Sequence, residues 1–318
     1  MDNNNIRSWQ YVGAGEKLTL NRVPSPTPAA GEVVVDVKAS GLCHTMVGIL
    51  DGSLSFLVPA IPQTLGDELA GCVVAVGADV DGVKIGDRVA NAAIGPETAG
   101  VGRDGGFAEM VAVRADRVVH IPDAVSFSAA AVATDAGATS YSAVHIDGRV
   151  QPGDRVGIIG YGGLGSIAAQ IALSAGAKVL IAETNAEARQ QARSGGRYTV
   201  VDDVLQFADH RLNVIMDFAG AGSTTAGAIE VIEPYGRIVQ VGTGKPTAEI
   251  NIPLLIAKHL TITGSSVDSP DALRKVLDLI ADDKLTLNLT EISFDEIGDG
   301  IARLERGEAR GRQVAVQP

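Results

Sequence analysis

The chain has 318 residues, and at roughly 150 residues per domain this predicts two domains, one of which can interrupt the other. With 46% hydrophobic and 20% charged residues it is too apolar to be disordered, and its 38 glycines call for many tight turns or close backbone approaches. A net charge of −12, from 26 Lys and Arg against 38 Asp and Glu, argues against nucleic acid or an anionic membrane as partner.

The N-terminus, MDNNNIRSWQ, is polar and lacks the apolar core of a signal peptide. Over about the first 135 residues the pattern is β structure: EVVVDVK at 32–38, LAGCVVAV at 69–76 and DRVA at 87–90 are Val-rich runs flanked by turn-forming residues. Pro24, Pro26 and Pro28 mark an extended connection, and 96–106 (PETAGVGRDGG) reads as a loop with little to pack. Small apolar residues from Ser126 to Ile146 predict mainly helix. From Asp154 strands (155–159, 178–182, 213–217, 237–241, 260–263) alternate with helices (165–175, 186–194), the rhythm of an α/β fold with a doubly wound parallel sheet. The stretch Ile167 to Ala182 is broken by Gln170, Ser174, Gly176 and Lys178, so it reads as helix then strand and not as a membrane span. The chain closes with an amphipathic helix at 271–283, a strand at 287–291, a helix at 294–306 and a strand at 313–316. Two cysteines, Cys43 and Cys72, can build neither a disulfide framework nor a four-cysteine zinc knot, and a reducing cytoplasm is the expected setting.

The strongest local signal is Gly160-Tyr161-Gly162-Gly163-Leu164-Gly165, which follows the strand VGII and opens a helix. Gly160 permits the tight turn, Gly162 lets a pyrophosphate approach the backbone, and Gly165 lets the helix pack on the strand. The N–H groups of that helix start then face the phosphates. Such a loop alone can be an ordinary βα turn. Glu183, 18 residues after Gly165 at the end of the next strand, adds a carboxylate for both ribose hydroxyls that would repel a 2′-phosphate. No Arg follows before Arg189, so NAD is expected over NADP. Val241 and Gly242, at the end of the strand at 237–241, are further expected cofactor contacts.

Ahead of this unit stand Gly41-Leu42-Cys43-His44-Thr45, Gly66-Asp67-Glu68-Leu69-Ala70-Gly71, VKIGDRV at 83–89 and Gly105-Gly106-Phe107-Ala108-Glu109. TDAGATSY at 134–141 precedes the glycine loop, and Gly311-Arg312 stands at the closing strand. In order and spacing this set resembles the zinc-type alcohol dehydrogenases of the medium-chain dehydrogenase/reductase superfamily over nearly the whole chain. The resemblance implies a chaperonin-10-like catalytic β domain at 1–136, a Rossmann NAD-binding domain at 137–266 and a return to the catalytic domain at 267–318. It places nicotinamide and substrate in the cleft between domains.

It also implies roles. Cys43 matches the thiolate metal ligand, Asp67 stands where the family usually has His, Glu68 matches an acid that enters and leaves the metal shell, and Asp135 matches the third ligand. Thr45 matches the hydroxyl that takes the alcohol proton. His44 matches a pyrophosphate contact, Arg312 a phosphate contact, and Thr139 a contact near the nicotinamide. The activity implied is NAD(H)-dependent interconversion of a small alcohol and its aldehyde or ketone, by a homodimer or homotetramer paired through an edge formed by 249–252 with 260–263.

Four features depart from the family pattern. Asn91 to Gly105 is short and has no Cys, so no structural zinc is expected. Met46 replaces the acid that usually orients the ligand His, Gly48 replaces a His that often ends the proton relay, and Asp67 replaces the ligand His. Cys43, Asp67 and Asp135 together carry three negative charges, one more than zinc cancels, which weakens a Lewis acid; Glu68 would add to that excess. Zinc at this site therefore stands beside two alternatives. One is a metal-free reductase of activated C=C or C=O bonds, with Asp67 and Asp135 sharing a proton. The other is a non-catalytic NAD-binding protein. Cys72, Trp9, Tyr11, His120, His145, His210 and His259 read as structural or exposed.

Overall fold

The computed structural model describes residues 5–267, 269–309 and 311–317. They form two compact units, one of the described residues in 5–136 and 267–317 and one of residues 137–266.

In the first unit a seven-stranded sheet is built around Glu32–Gly41, where Val33, Val35 and Val37 alternate into a core with Leu69, Val73, Val89, Val111 and Val113. This strand pairs antiparallel with Glu68–Val76, Met110–Arg114 and the closing strand Arg312–Val316. In that register Gly41 lies opposite both Val314 and Glu68, so residues far apart in the chain meet at one end of the sheet. A smaller sheet joins Thr19–Pro24, Asn5–Tyr11 and Gln63–Thr64. A second core, with Tyr11, Leu42, Met46, Ile49, Leu65, Phe107, Phe294 and Ile297 among its buried residues, supports the helix His44–Leu50.

The second unit is a six-stranded parallel sheet in the order Thr199–Val201, Lys178–Ala182, Arg155–Ile159, Val214–Asp217, Arg237–Gln240, Thr261–Gly264. This is the Rossmann order, and its topological switch falls beside Arg155–Ile159, the strand that leads into the glycine loop. Helices Gly163–Ser174, Ala186–Ser194 and Ser223–Val231 connect its strands.

Two expectations need correction. The segment 249–252 is not a strand: the Asn251 side chain caps the helix Ile252–Ala257, leaving Thr261–Gly264 as the sheet's edge. The loop at 96–106 does pack. Thr98 and Ala99 are buried, and Gly100 and Gly105 stack on Gly66 so closely that a Cβ on either would collide with backbone. The helical region after Ser126 contains two π turns, Ala133–Gly137 and Ser142–Asp147. Among the described residues no helix is long and apolar enough to cross a membrane.

Candidate functional site

Cys43 lies two residues past the strand Glu32–Gly41 and caps the helix His44–Leu50, its Sγ accepting the Thr45 N–H at 3.5 Å. Asp67 follows Gly66, whose φ of +101° only glycine adopts freely, and precedes the strand Glu68–Val76. Asp135 sits in the π turn Ala133–Gly137, a distortion that recurs at functional positions. The fold brings one ligand atom from each of these three within 4.8 Å of one another. Cys43 Sγ is 3.4 Å from Asp135 Oδ2 and 3.3 Å from Thr45 Oγ1. Cys43 and Asp67 are buried, and no hydrogen-bond donor among the described residues reaches Asp67 Oδ1.

Glu68 is fully buried but is not one of the three converging donors. Its carboxylate crosses over Gly41, where a Cβ would collide with it. It accepts Arg312 Nε at 2.9 Å, Arg312 Nη2 at 2.7 Å and the Ala136 N–H at 3.0 Å. Arg312 Nη2 is 3.9 Å from Asp135 Oδ2. The guanidinium expected to touch a phosphate is thus committed to Glu68, and it cancels the charge that Glu68 was expected to add to the cluster. The excess that remains comes from Cys43, Asp67 and Asp135.

Burial dominates the electrostatics. It pushes the Cys43 thiol well above its ordinary range, with Asp67 adding to the effect, and the Asp67 carboxyl likewise, with Asp135 and Glu68 adding. Glu68 is pushed up to about 7, burial outweighing the opposing pull of Arg312. For Arg312 the order reverses: Glu68 and its neighbours overcome burial and hold the proton firmly. Three acidic groups converge, two of them buried, and one buried oxygen, Asp67 Oδ1, has no partner among the described residues. A dication would compensate both, so the donor set fits a divalent metal. The thiolate suits zinc and the carboxylates are ordinary zinc ligands.

The two other departures also have a local form. Met46 is fully buried and its Sδ accepts the Gly66 N–H at 3.4 Å. Gly48 could not be a larger residue without movement, because its Cβ would stand 2.8 Å from Leu54 Cδ1. His44 begins its helix and is exposed.

In the second unit Gly160 turns the chain at φ +88°, and a Cβ on Gly165 would collide with Gly160 O. Gly162 caps the helix Gly163–Ser174 and has nothing within 4 Å of its Cβ position, which leaves open space over the helix N-terminus. Glu183 ties this loop to its strand, accepting the Tyr161 N–H at 2.6 Å and the Asn185 N–H at 2.7 Å. Arg189, the first arginine after the acid, donates to the Glu183 and Thr184 carbonyls. Thr139 is buried in the helix Ala138–Tyr141, which meets the loop's helix where Ser140 Oγ donates to Leu164 O at 2.9 Å. Val241 N and Gly242 N both donate to Asp217 O.

A cavity of about 390 Å³ reaches Thr184, the residue after Glu183, and is lined also by Asp202, Asp203, Val204, Thr224 and Glu230. Sequence reading missed these residues. The signal was present, two acids directly after the run Tyr198-Thr199-Val200-Val201, but that strand was too short to stand out. None of His120, His145 and His259 joins either site: they meet Asp87, Tyr141 and Tyr235, respectively.

An alcohol dehydrogenase GroES-like domain model matches residues 29–123, and a zinc-binding dehydrogenase model matches residues 163–282. An alcohol dehydrogenase of Geobacillus stearothermophilus is 32% identical over 93% of this chain and 95% of its own length. A probable cinnamyl alcohol dehydrogenase 6 of Oryza sativa subsp. japonica is 28% identical over 97% and 95%. Among solved structures, acetophenone reductase from Geotrichum candidum NBRC 4597 in complex with NAD matches with a TM-score of 0.91 at 27% identity, covering 100% of this chain and 98% of that one. The alcohol dehydrogenase from the archaeon Aeropyrum pernix matches at 0.89 and 29%, covering 98% and 100%.

Proposed function

This chain belongs to the zinc-type alcohol dehydrogenases of the medium-chain dehydrogenase/reductase superfamily, and from that premise we propose that Cys43, Asp67 and Asp135 hold a divalent metal, zinc by its thiolate ligand, where a small alcohol and its aldehyde or ketone are interconverted with NAD(H). The observation that carries this is the convergence of three acidic donors, two of them buried, with Asp67 Oδ1 left without a partner among the described residues. When bound, the metal supplies a Lewis acid for the substrate oxygen and the dinucleotide supplies or takes the hydride.

The chain's own groups do the rest. Thr45 Oγ1, 3.3 Å from the Cys43 sulfur and half-buried, takes the alcohol proton and passes it toward solvent. Leu54 fills the space beside Gly48, so no side chain at that position extends the relay. Where Glu68 is ionised it cancels Arg312, and the donor set then keeps one negative charge beyond what a dication cancels. That makes the site a weaker electrophile than one with a neutral ligand at position 67.

For the cofactor, the open face of Gly162 and the helix start at Gly163 and Leu164 suit the pyrophosphate, and the Glu183 carboxylate suits the ribose hydroxyls. The cavity beside Thr184 suits the adenine end, and Asp202, Asp203 and Glu230 would repel a 2′-phosphate. We assign Thr139, Val241 and Gly242 to the nicotinamide half and His44 to the phosphates. Arg312 we assign to Glu68 instead. The sheet edge Thr261–Gly264, with Ile262 exposed, lies near the helix Ile252–Ala257, in which Ile256 is 66% exposed; this supports a homodimer or homotetramer. Two free thiols suit a cytoplasmic setting.

The test is NADH oxidation with a panel of aldehydes and ketones, before and after chelation and zinc return. Turnover that chelation abolishes and zinc restores is expected. A second reading rests on Asp67, whose burial beside Asp135 keeps a proton on the metal-free carboxyl that it could deliver to a carbonyl oxygen. Turnover indifferent to chelation would favour it. Dinucleotide binding without turnover of any substrate would leave neither reading standing.

A further inference from the structure

Asp217 ends the strand Val214–Asp217 and is fully buried, and donors hold it from several directions. Its Oδ1 accepts the Ala219 and Gly220 N–H groups at 3.0 and 2.8 Å, and its Oδ2 accepts the Thr224 hydroxyl at 2.7 Å. Such donors are what a buried carboxylate requires. Its backbone carbonyl accepts Val241 N at 3.0 Å and Gly242 N at 2.9 Å, from the loop after the neighbouring strand. The two loops also meet backbone to backbone. A Cβ on Gly220 would lie 2.0 Å from Gly242 O, one on Gly242 would lie 2.4 Å from Phe218 O, and Lys245 N donates to Gly220 O at 2.8 Å.

A side-chain link runs between the same two points. Thr225, buried on the helix Ser223–Val231, places its hydroxyl 3.0 Å from Asp217 Oδ2 and 3.0 Å from Gln240 Oε1. Gln240 ends the strand Arg237–Gln240, and its Nε2 donates to Gly242 O at 2.8 Å. The amide can sit only one way round. A carbonyl fixes its donor end, so its oxygen faces Thr225, whose one hydrogen serves both that oxygen and the Asp217 carboxylate. The chain Asp217, Thr225, Gln240, Gly242 therefore ties the peptide after Val241 to a buried acid on the next strand.

We propose that Thr225 and Gln240 are positioning residues for the nicotinamide half of the dinucleotide: they lock the Val241–Gly242 peptide in the shape that this half meets. This rests on the cofactor reading above, which assigns Val241 and Gly242 to the nicotinamide half, and goes beyond it by naming side chains that act from behind the loop. Without the lock the loop takes its binding shape only part of the time, and the apparent affinity falls by that fraction. The adenosine half has its own supports, the Glu183 carboxylate and the helix start at Gly163, and neither runs through Gln240. The loss is therefore confined to one end of the ligand, which a general loosening of the fold is not.

The test compares two probes on the full-length chain: NADH, and ADP-ribose, which keeps the adenine, the pyrophosphate and both riboses but lacks the nicotinamide ring. NADH is titrated by its fluorescence and ADP-ribose by competition against it. The parent should bind NADH more tightly than ADP-ribose. Thr225→Val keeps the side-chain shape and removes the hydrogen; Gln240→Met keeps the length and removes both amide bonds. Each should weaken NADH roughly 3–10-fold, about what one or two hydrogen bonds are worth, and change ADP-ribose by less than about twofold, as for an independent site. Thr225→Ser, which keeps the hydroxyl, should bind NADH as the parent does. Four results each overturn the inference: equal weakening of both probes, no weakening of either, Thr225→Ser as weak as Thr225→Val, or a parent that binds ADP-ribose as tightly as NADH. All four leave dinucleotide binding in place. A parent that binds neither probe overturns the cofactor reading itself, and the inference with it. Should one of Thr225→Val and Gln240→Met fail to fold, the other carries the comparison.

Discussion

Replacing Arg312 by Met isolates the largest electrostatic feature of the first unit. The guanidinium side chain is 8% exposed and its partner Glu68 0%, and two charge-assisted bonds of 2.7 and 2.9 Å join them. Removing one member of such a pair typically costs 3–5 kcal/mol, because the other charge stays buried. The Ala136 N–H also donates to that carboxylate, at 3.0 Å. Glu68 already titrates at about 7 with Arg312 present, and without it the pKa rises further. The variant can therefore escape part of the cost by protonating Glu68, so the loss should be near the low end, about 3 kcal/mol, at pH 6 and larger at pH 8. Adding Glu68→Gln removes the stranded charge and should recover most of the loss, leaving about 1–2 kcal/mol for lost hydrogen bonds. The assay is urea unfolding of the chelated protein followed by fluorescence of Trp9, the one tryptophan in the chain, which lies in the same unit as the pair. A loss under about 1 kcal/mol at both pH values, or a double variant as unstable as Arg312→Met alone, would refute this account of the pair.

Other expectations follow from the same geometry. Glu183→Ala removes the acceptor for the Tyr161 and Asn185 N–H groups and should weaken NAD binding roughly 10–100-fold while narrowing its preference over NADP; fluorescence titration with both cofactors measures this. Gly165→Ala forces a Cβ into Gly160 O and should cost on the order of 1–3 kcal/mol of stability as well as cofactor binding. Gly162→Ala meets nothing and should leave the melting temperature unchanged while lowering NAD affinity, so thermal melts with and without NAD separate the two glycines. In the chelated protein Asp67 and Glu68, both pushed up mainly by burial, keep protons that the unfolded chain releases at its ordinary carboxyl range. Stability should therefore fall as pH rises from 5 toward and past 7, and saturating zinc should abolish that fall, because the metal takes the place of the protons.

The central strands of the parallel sheet were legible because they are buried on both faces and read as continuous apolar runs, and Ala186–Ser194 was legible to the residue because Asn185 caps it and polar residues frame it. Asn5–Tyr11 and Thr19–Pro24 were not: one mixes Asn, Arg, Ser and Gln with its few buried residues and the other buries none, so no two-residue apolar alternation marks them. Cys43, Asp67 and Asp135 were visible as motif residues, but their convergence depends on non-local pairing that spacing does not encode. Arg312 illustrates the limit best. It is 244 residues from Glu68, and only the antiparallel pairing of Arg312–Val316 with Glu32–Gly41, itself paired with Glu68–Val76, brings the two together. The sequence pattern offered a cation and an acid, and the sheet register decided which met which.

The central claim is that three acidic side chains from separate parts of the chain share one dication. Elemental analysis of the full-length protein, dialysed after exposure to zinc, tests it most directly. One zinc per chain is expected in the parent and essentially none in Cys43→Ser or Asp135→Asn proteins that keep the parent's fold by circular dichroism. A parent protein that retains no zinc, or variants that retain as much as the parent, would contradict it.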